Sequence, residues 1–253
     1  MVDEITHKIY GDDLQLVEVE LDPGEGVRGE TGTMTYMEAG IEMQTQVGGI
    51  FKGLTRMFTG ESFFITTFLN NGKNKARIGF AAPYPGQIIP MDLGAEGGEF
   101  ICQKDSFLCA AQGIEIEIAF TKRLGAGLFG GEGFILQRLK GDGMAFVHAG
   151  GTLIEKTLAK GEVLRVDTGC IVGLHPSVDY DIQFVGGFRN ALFGGEGLFL
   201  AKLEGPGKVY LQSLPFSRLA DRIVAASRVH NQGEKRGLAG IGGDILGDLL
   251  SGR

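Results

Sequence analysis

Cysteine, histidine and proline are all scarce in this chain, and each scarcity closes off a chemistry. Cys102, Cys109 and Cys170 form an odd set with no CxxC pair. Their spacing does not suit a zinc site, so buried reduced thiols are expected. His7, His148, His175 and His230 make no HxH and no HExxH arrangement. A metal-binding cupin or a zincin would need one. No GxSxG nucleophile elbow occurs, and no glycine-rich loop ends in GK[ST]. Seven prolines and no G-X-Y period exclude a collagen-like chain. No apolar run approaches the ~20 residues that a spanning helix needs. The opening "MVDEITHKIYGDDLQ" lacks an apolar h-region, so no secretory signal is expected. Positive charge is also short: the net charge is −7. Nucleic-acid binding that is independent of sequence runs on Lys and Arg neutralising phosphates, so no nucleic-acid partner is expected.

Glycine, in contrast, is abundant. There are 43 in 253 residues, more than twice the usual share of about 7%. They fall at the ends of β-like runs, where a turn needs positive φ. Many tight turns imply many short strands, so the expected class is all-β.

The glycines also punctuate a repeat. "FGGEG" stands at Phe129–Gly133 and again at Phe193–Gly197, and a looser "FTGES" at Phe58–Ser62. Each is followed by an apolar run, a turn ("NNG", "GDG" or "GPG") and a second apolar run, which together read as a β-hairpin. Upstream of each lies a second shared block, in which Glu25, Glu99 and Glu162 take matching places. The chain thus divides into repeats at about 14–83, 84–149 and 150–214. Such a long period predicts one supersecondary unit written three times around a shared core. A single body over 1–214 with pseudo-threefold symmetry follows, since closure removes exposed edges.

Glu in these turns has an ordinary task, accepting hydrogen bonds from turn N–H groups. A second reading brings Glu61, Glu132 and Glu196 together near the pseudo-threefold axis, as ligands for Ca²⁺ or Mg²⁺. The structural task is preferred, so no metal and no cofactor are expected.

One feature points outward. Ahead of each Phe-x-Gly-Glu run lies a segment mixing apolar and basic residues: "VGGIFKGLTRMF", "AFTKRLGAGLF" and "VGGFRNALF". They supply Phe51, Lys52, Leu54, Arg56 and Met57, then Lys122, Arg123, Leu128 and Phe129, then Arg189, Leu192 and Phe193. If the three segments share one end of the body, they form an apolar patch with a basic rim for a partner protein or a membrane surface.

The region 215–253 differs in kind. "SRLADRIVAASRVH" reads as a helix capped by Ser217, with Leu219, Ile223 and Ala226 on one face. "GLAGIGGDILGDLL" places Ile241, Ile245, Leu246, Leu249 and Leu250 at helical spacing. A helix so rich in glycine is weak alone. A docked tail is therefore expected, and with it a homo-oligomer, a trimer in the first instance.

The stretch "HKIYGDDLQLVEVELDPGEGVRGETGTMTYMEAGIEMQT", the "FKGLTRMFTGESFF" segment and "NALFGGEGLF" carry a resemblance. From about His7 to Leu214 the chain resembles the bacterial family of unknown function related to the yeast mitochondrial biogenesis protein AIM. That family belongs to the tryptophan RNA-binding attenuator protein-like (TRAP-like) group. The resemblance implies a double-stranded β-helix or β-sandwich-like fold with internal repeats. It brings no catalytic residues to transfer. The function expected is a non-enzymatic scaffold or binding protein, cytoplasmic or membrane-peripheral. The alternative is a small-molecule or metal-dependent enzyme using a polar pocket in the β-body.

Overall fold

A computed structural model describes residues 5–44, 65–122, 133–185, 198–224 and 226. The chain divides into a β-body, residues 1–215, and a C-terminal part, residues 216–253.

Nineteen strands make up the described β-body. The first stretch holds β1 (Thr6–Tyr10), β2 (Leu16–Leu21), β3 (Gly26–Glu30), β4 (Met34–Met37), β5 (Ile41–Gln44), β6 (Ile65–Asn70) and β7 (Ala76–Ala81). The second holds β8 (Gly86–Asp92), β9 (Glu99–Gln103), β10 (Phe107–Ala111), β11 (Glu115–Lys122), β12 (Phe134–Lys140) and β13 (Met144–Gly150). The third holds β14 (Leu153–Leu158), β15 (Val163–Asp167), β16 (Ile171–Leu174), β17 (Asp179–Val185), β18 (Leu198–Glu204) and β19 (Gly207–Gln212). Alternation builds them. In β2, Val17, Val19 and Leu21 face inward while Glu18 and Glu20 stay half exposed. That period of two fits a strand with one face on a core.

The strands form four sheets. Two have six strands, in the orders β5-β6-β3-β10-β13-β8 and β11-β12-β9-β16-β19-β14. A third runs β1-β2-β7-β4 and a fourth β15-β18-β17. The pairing is antiparallel and recurs along the chain. β2 pairs with β7, β8 with β13 and β14 with β19. A short 3-10 turn follows β3, β9 and β15 alike, at Thr31–Thr33, Lys104–Ser106 and Thr168–Cys170. The strand after each turn carries a bulge, between Met34 and Tyr36, Phe107 and Cys109, and Ile171 and Gly173.

The hairpins expected around "NNG", "GDG" and "GPG" are not what forms. The strands and turns are there, but β6 pairs with β5 and β3, while β7 pairs with β2 and β4. β12 and β13 likewise part into different sheets, as do β18 and β19. The turns carry the chain from one sheet to another. At the first, buried Asn70 replaces the missing ladder. Its Nδ2 donates to the Leu21 and Asn74 carbonyls at 2.9 Å each, and its Oδ1 accepts the Gly72 N–H at 3.0 Å.

Two apolar clusters fill the interior. The larger includes Phe68, Phe80, Phe100, Phe107 and Phe146, with Phe68 and Phe80 edge to face at 5.5 Å. The smaller gathers Phe134, Leu136, Val166, Leu174, Ala201 and Leu203. Each buried Phe or Leu contributes about 1.5–3 kcal/mol from area removed from water. In the C-terminal part, residues 216–224 and 226 are helical. Ser217 therefore lies within the first turn instead of capping it. Phe216, Ile223 and Val224 are exposed.

Candidate functional site

Most of the candidate patch lies outside the described residues. This holds for Phe51, Lys52, Leu54, Arg56, Met57, Arg123, Leu128, Phe129, Arg189, Leu192 and Phe193, and for Glu61, Glu132 and Glu196. Lys122 is the last residue of β11, and its backbone pairs with Phe134.

What the structure describes is the frame that holds these segments. The first, 45–64, joins β5 to β6, which pair with Gln44 opposite Thr67. The second joins β11 to β12, ending at Lys122 opposite Phe134. The third joins β17 to β18, ending at Val185 opposite Leu198. Each segment thus connects the two strands of an antiparallel hairpin. Each hairpin's return strand also pairs with the strand that enters a 3-10 turn: β6 with β3, β12 with β9 and β18 with β15. Three segments of like composition leave the body from three like places.

Two of the Gly-Glu turns, at Glu25 and Glu162, do the structural task expected of them. Glu25 accepts the Asp22 N–H on Oε2 at 2.7 Å, and Glu162 accepts the Ala159 N–H at 2.8 Å. Both follow a glycine of positive φ, Gly24 at 90° and Gly161 at 77°. Glu99 does not share the position. The backbone carbonyls of Glu25 and Glu162 receive the N–H groups of Asn70 and Gly205, and the matching carbonyl in the second stretch belongs to Gly98, which receives Gly141 N–H. Glu99 instead reaches Arg138, 3.2 Å away. Two consecutive glycines of positive φ, Gly97 and Gly98, displace the carboxylate by one residue.

The residues with chemical potential are dispersed. Cys102 and Cys109 are fully buried, and burial pushes the Cys102 thiol up to about 12 and Cys109 well above the ordinary range. Both are apolar filler at neutral pH. His148 is buried in β13, edge-on to Tyr84 at 4.7 Å, and burial depresses its imidazole to about 4. Burial likewise raises Tyr84, helped by Asp105 and Glu30 nearby. His7 lies half-buried, edge-on to Phe146 at 4.9 Å, and burial lowers its pKa. His175 Nδ1 meets Ser177 Oγ at 2.7 Å, and that hydroxyl donates to the Pro206 carbonyl at 2.6 Å. Among the described residues, no group of three or more His, Cys, Asp or Glu side chains is placed to hold a metal ion.

Sequence reading missed a buried polar layer beside the 3-10 turns. Gln212 accepts Gly150 N–H at 2.8 Å and donates to the Gly169 carbonyl at 2.8 Å. Ser106 Oγ, Thr168 Oγ1 and His148 Nδ1 are buried without a protein hydrogen-bond partner. The sheet β1-β2-β7-β4 carries an exposed charge cluster. Tyr10 and Tyr36 both donate to Glu18, and the Glu18 carboxylate pushes the Tyr36 phenol up to about 12. Glu20 alongside bridges Lys75 and Arg77. No sequence motif marks either feature, since its members come from separate strands. Among the described residues, no helix is long and apolar enough to cross a membrane.

Comparison with known proteins agrees with the strand pattern. An uncharacterised protein of Streptococcus pyogenes serotype M6, M6_Spy0233, is 28% identical over 217 residues, covering 82% of this chain and 85% of its own. The crystal structure of SPYM3_0169, also from Streptococcus pyogenes, superposes with a TM-score of 0.71 at 24% identity, over 88% of this chain and 100% of that one. It is a likeness of fold. The family model described as mitochondrial biogenesis AIM24 matches residues 7–214, nearly the whole β-body. The chain therefore belongs to the mitochondrial biogenesis AIM24 family.

Proposed function

We propose that this chain is a non-enzymatic scaffold or binding protein whose docking end is made by the three segments 45–64, 123–132 and 186–197. The observation that carries this reading is their common frame: each connects a hairpin whose return strand borders a 3-10 turn. Loops held by a rigid scaffold are where binding residues concentrate. The segments here combine Phe51, Met57, Leu128, Phe129, Leu192 and Phe193 with Lys52, Arg56, Arg123 and Arg189. Apolar side chains inserted among lipid headgroups, with cations beside them, are the chemistry of peripheral membrane attachment. A cytoplasmic protein that visits an anionic membrane surface is the form preferred. Vesicle flotation tests it. The chain should float with phosphatidylserine-containing vesicles. Replacing Lys52, Arg56, Arg123 and Arg189 together by Glu should leave it at the bottom with an unchanged β-type circular dichroism. If the native chain does not float even at low salt, the patch does not serve a membrane, and cross-linking to a protein partner becomes the test.

The same proposal includes the architecture of three units, at about 14–83, 84–149 and 150–214, related by a pseudo-threefold rotation in a double-stranded β-helix or β-sandwich-like body. The recurring pairings and bulges support it. Kinship with the TRAP-like group belongs here too, without RNA binding, given the net charge of −7. We place assembly in a homotrimer through the tail here as well. Removing residues 237–253 should lower the mass measured by light scattering while the β-signal stays. The alternative reading, an enzyme using a polar pocket, would rest on the buried polar layer around His148. A His148 variant that loses a measurable turnover while keeping its fold would favour it.

A further inference from the structure

The two complete sheets are each built from two halves. In the first, β5-β6-β3 joins β10-β13-β8; in the second, β11-β12-β9 joins β16-β19-β14. The junctions are the ladders β3–β10 and β9–β16. The remaining two sheets have the same composition. β17-β18-β15 is a half of the first kind, and β4-β7-β2 is a half of the second kind with β1 added outside. Their junction edges would be β15 and β4, and among the described residues no ladder forms between them.

The register of the missing junction follows from the two that exist. Cys109 pairs with Gly29 and Ala110 with Arg28; Gly173 pairs with Cys102 and Leu174 with Ile101. In β10 and β16 the residue after the bulge, Cys109 or Gly173, makes the junction pair. In β4 that residue is Tyr36, and the next is Met37. Counting back from the 3-10 turns, Gly29 and Cys102 correspond to Val166, and Arg28 and Ile101 to Arg165. One side-chain contact follows as well. Arg28 donates across its junction to the Ile114 carbonyl at 2.9 Å. Ile114 N–H bonds back to Ala111 in a tight turn, and Ile41 N–H bonds back to Glu38 in the same way. Arg165, in the place of Arg28, is exposed on β15.

We propose that β4 and β15 are the two sides of one interrupted ladder and zip together antiparallel within the same chain, with Tyr36 opposite Val166 and Met37 opposite Arg165. On closing, Arg165 reaches the Ile41 carbonyl as Arg28 reaches that of Ile114. Exposure supports this occupant. Cys109, Ala110 and Leu174 at the made junctions are fully buried, whereas Tyr36, Met37 and Val163 stand 37%, 40% and 43% exposed. An apolar edge left open is a template for another chain. The chain's own matching edge fills it without the loss of translational freedom that a second copy would incur. The inference rests on the three-unit reading of the body and is independent of what the loops bind.

Amide exchange on the native full chain tests it first. The amides of β4 and β15 should exchange at least about a hundredfold slower than an open strand, equally at low and high protein concentration. Disulfide trapping then fixes the register. Met37→Cys with Arg165→Cys should close a bond within one chain on mild oxidation, while Met37→Cys with Leu164→Cys should not. Fast exchange at both strands with no trapped bond overturns the proposal. So does a bond between chains, or protection that grows with concentration, since the edges then serve a second copy. If the paired variant fails to fold, the exchange measurement on the native chain decides. A bond formed instead by Met37→Cys with Leu164→Cys would keep the ladder but break the register inferred from the repeats, and so would count separately against the three-unit reading.

Discussion

β10 and β4 occupy the same ladder position in different sheets, and their environments differ. Phe107 in β10 stands opposite Val147, and Met34 in β4 stands opposite Phe80, each just before a bulge. Every residue of β10 is buried, and none of β4 is fully so. Composition alone does not explain this, since Met-Thr-Tyr-Met is no poor strand sequence. The difference is that β10 has a neighbour on both sides and β4 on one. Burial in this body is conferred by the junction between half-sheets as much as by the strand's own residues.

The largest effect expected follows directly. Phe107→Ala removes a ring that is 2% exposed, and about 3–5 kcal/mol of stability should go with it. Met34→Ala, at the matching place, should cost no more than about 2 kcal/mol by urea unfolding. A loss at Met34 approaching that at Phe107 would break the comparison, and would follow if the proposed β4–β15 ladder encloses β4.

Acid should act next. His148 sits in β13 of a complete sheet, neutral in the folded chain, its pKa depressed from 6.5 to about 4. The unfolded chain takes up a proton near pH 6.5 while the folded chain does not. Stability is therefore whole above that pH, falls as pH drops from 6.5 to about 4, and levels off below, the loss being no more than about 3 kcal/mol. His148→Gln should flatten the profile over that window. The residual slope belongs to His7, also lowered by burial. An unchanged profile would mean that the His148 pKa is not lowered in the folded chain.

Glu25→Ala and Glu162→Ala sharpen the comparison from the other side. Their turns precede β3, in a complete sheet, and β15, in a half-sheet. Each substitution removes one acceptor of a turn N–H and should cost about 1 kcal/mol, with the two losses alike. A marked inequality in melting temperature would show that the turn senses the junction. The smallest effect is expected at Glu20→Gln, an exposed bridge to Lys75 and Arg77, whose melting temperature should stay within experimental scatter.

Much of the strand inventory was legible because alternation and glycine turns are local signals. "LVEVEL" places its own faces, and Gly24-Glu25 and Gly161-Glu162 declare their own turns. Pairing was not legible. Alternation says which way Phe68 and Phe80 point but not which strands flank them, so β6 and β7 read as a hairpin although they enter different sheets. The displacement of Glu99 turned on two adjacent glycines of positive φ, which sequence does not reveal. The layer of Gln212, His148 and Tyr84 converges from distant positions and leaves no spacing to notice. Of the candidate patch, the described residues give only the hairpins that frame it.

The pairing of an early strand of each stretch with its last has a bearing on synthesis. β2 waits for β7, β8 for β13 and β14 for β19. A nascent chain leaving the ribosome therefore presents β2 and β4 with incomplete ladders until β7 has emerged. The joining ladders β3–β10 and β9–β16 come a stretch later still. Maturation should proceed in three steps spaced along translation, each delayed by the loop closure its long-range pairs require. A stalled chain ending before β7 is the form most exposed to chaperones and proteases, and one ending after β13 already carries every strand of the sheet β5-β6-β3-β10-β13-β8.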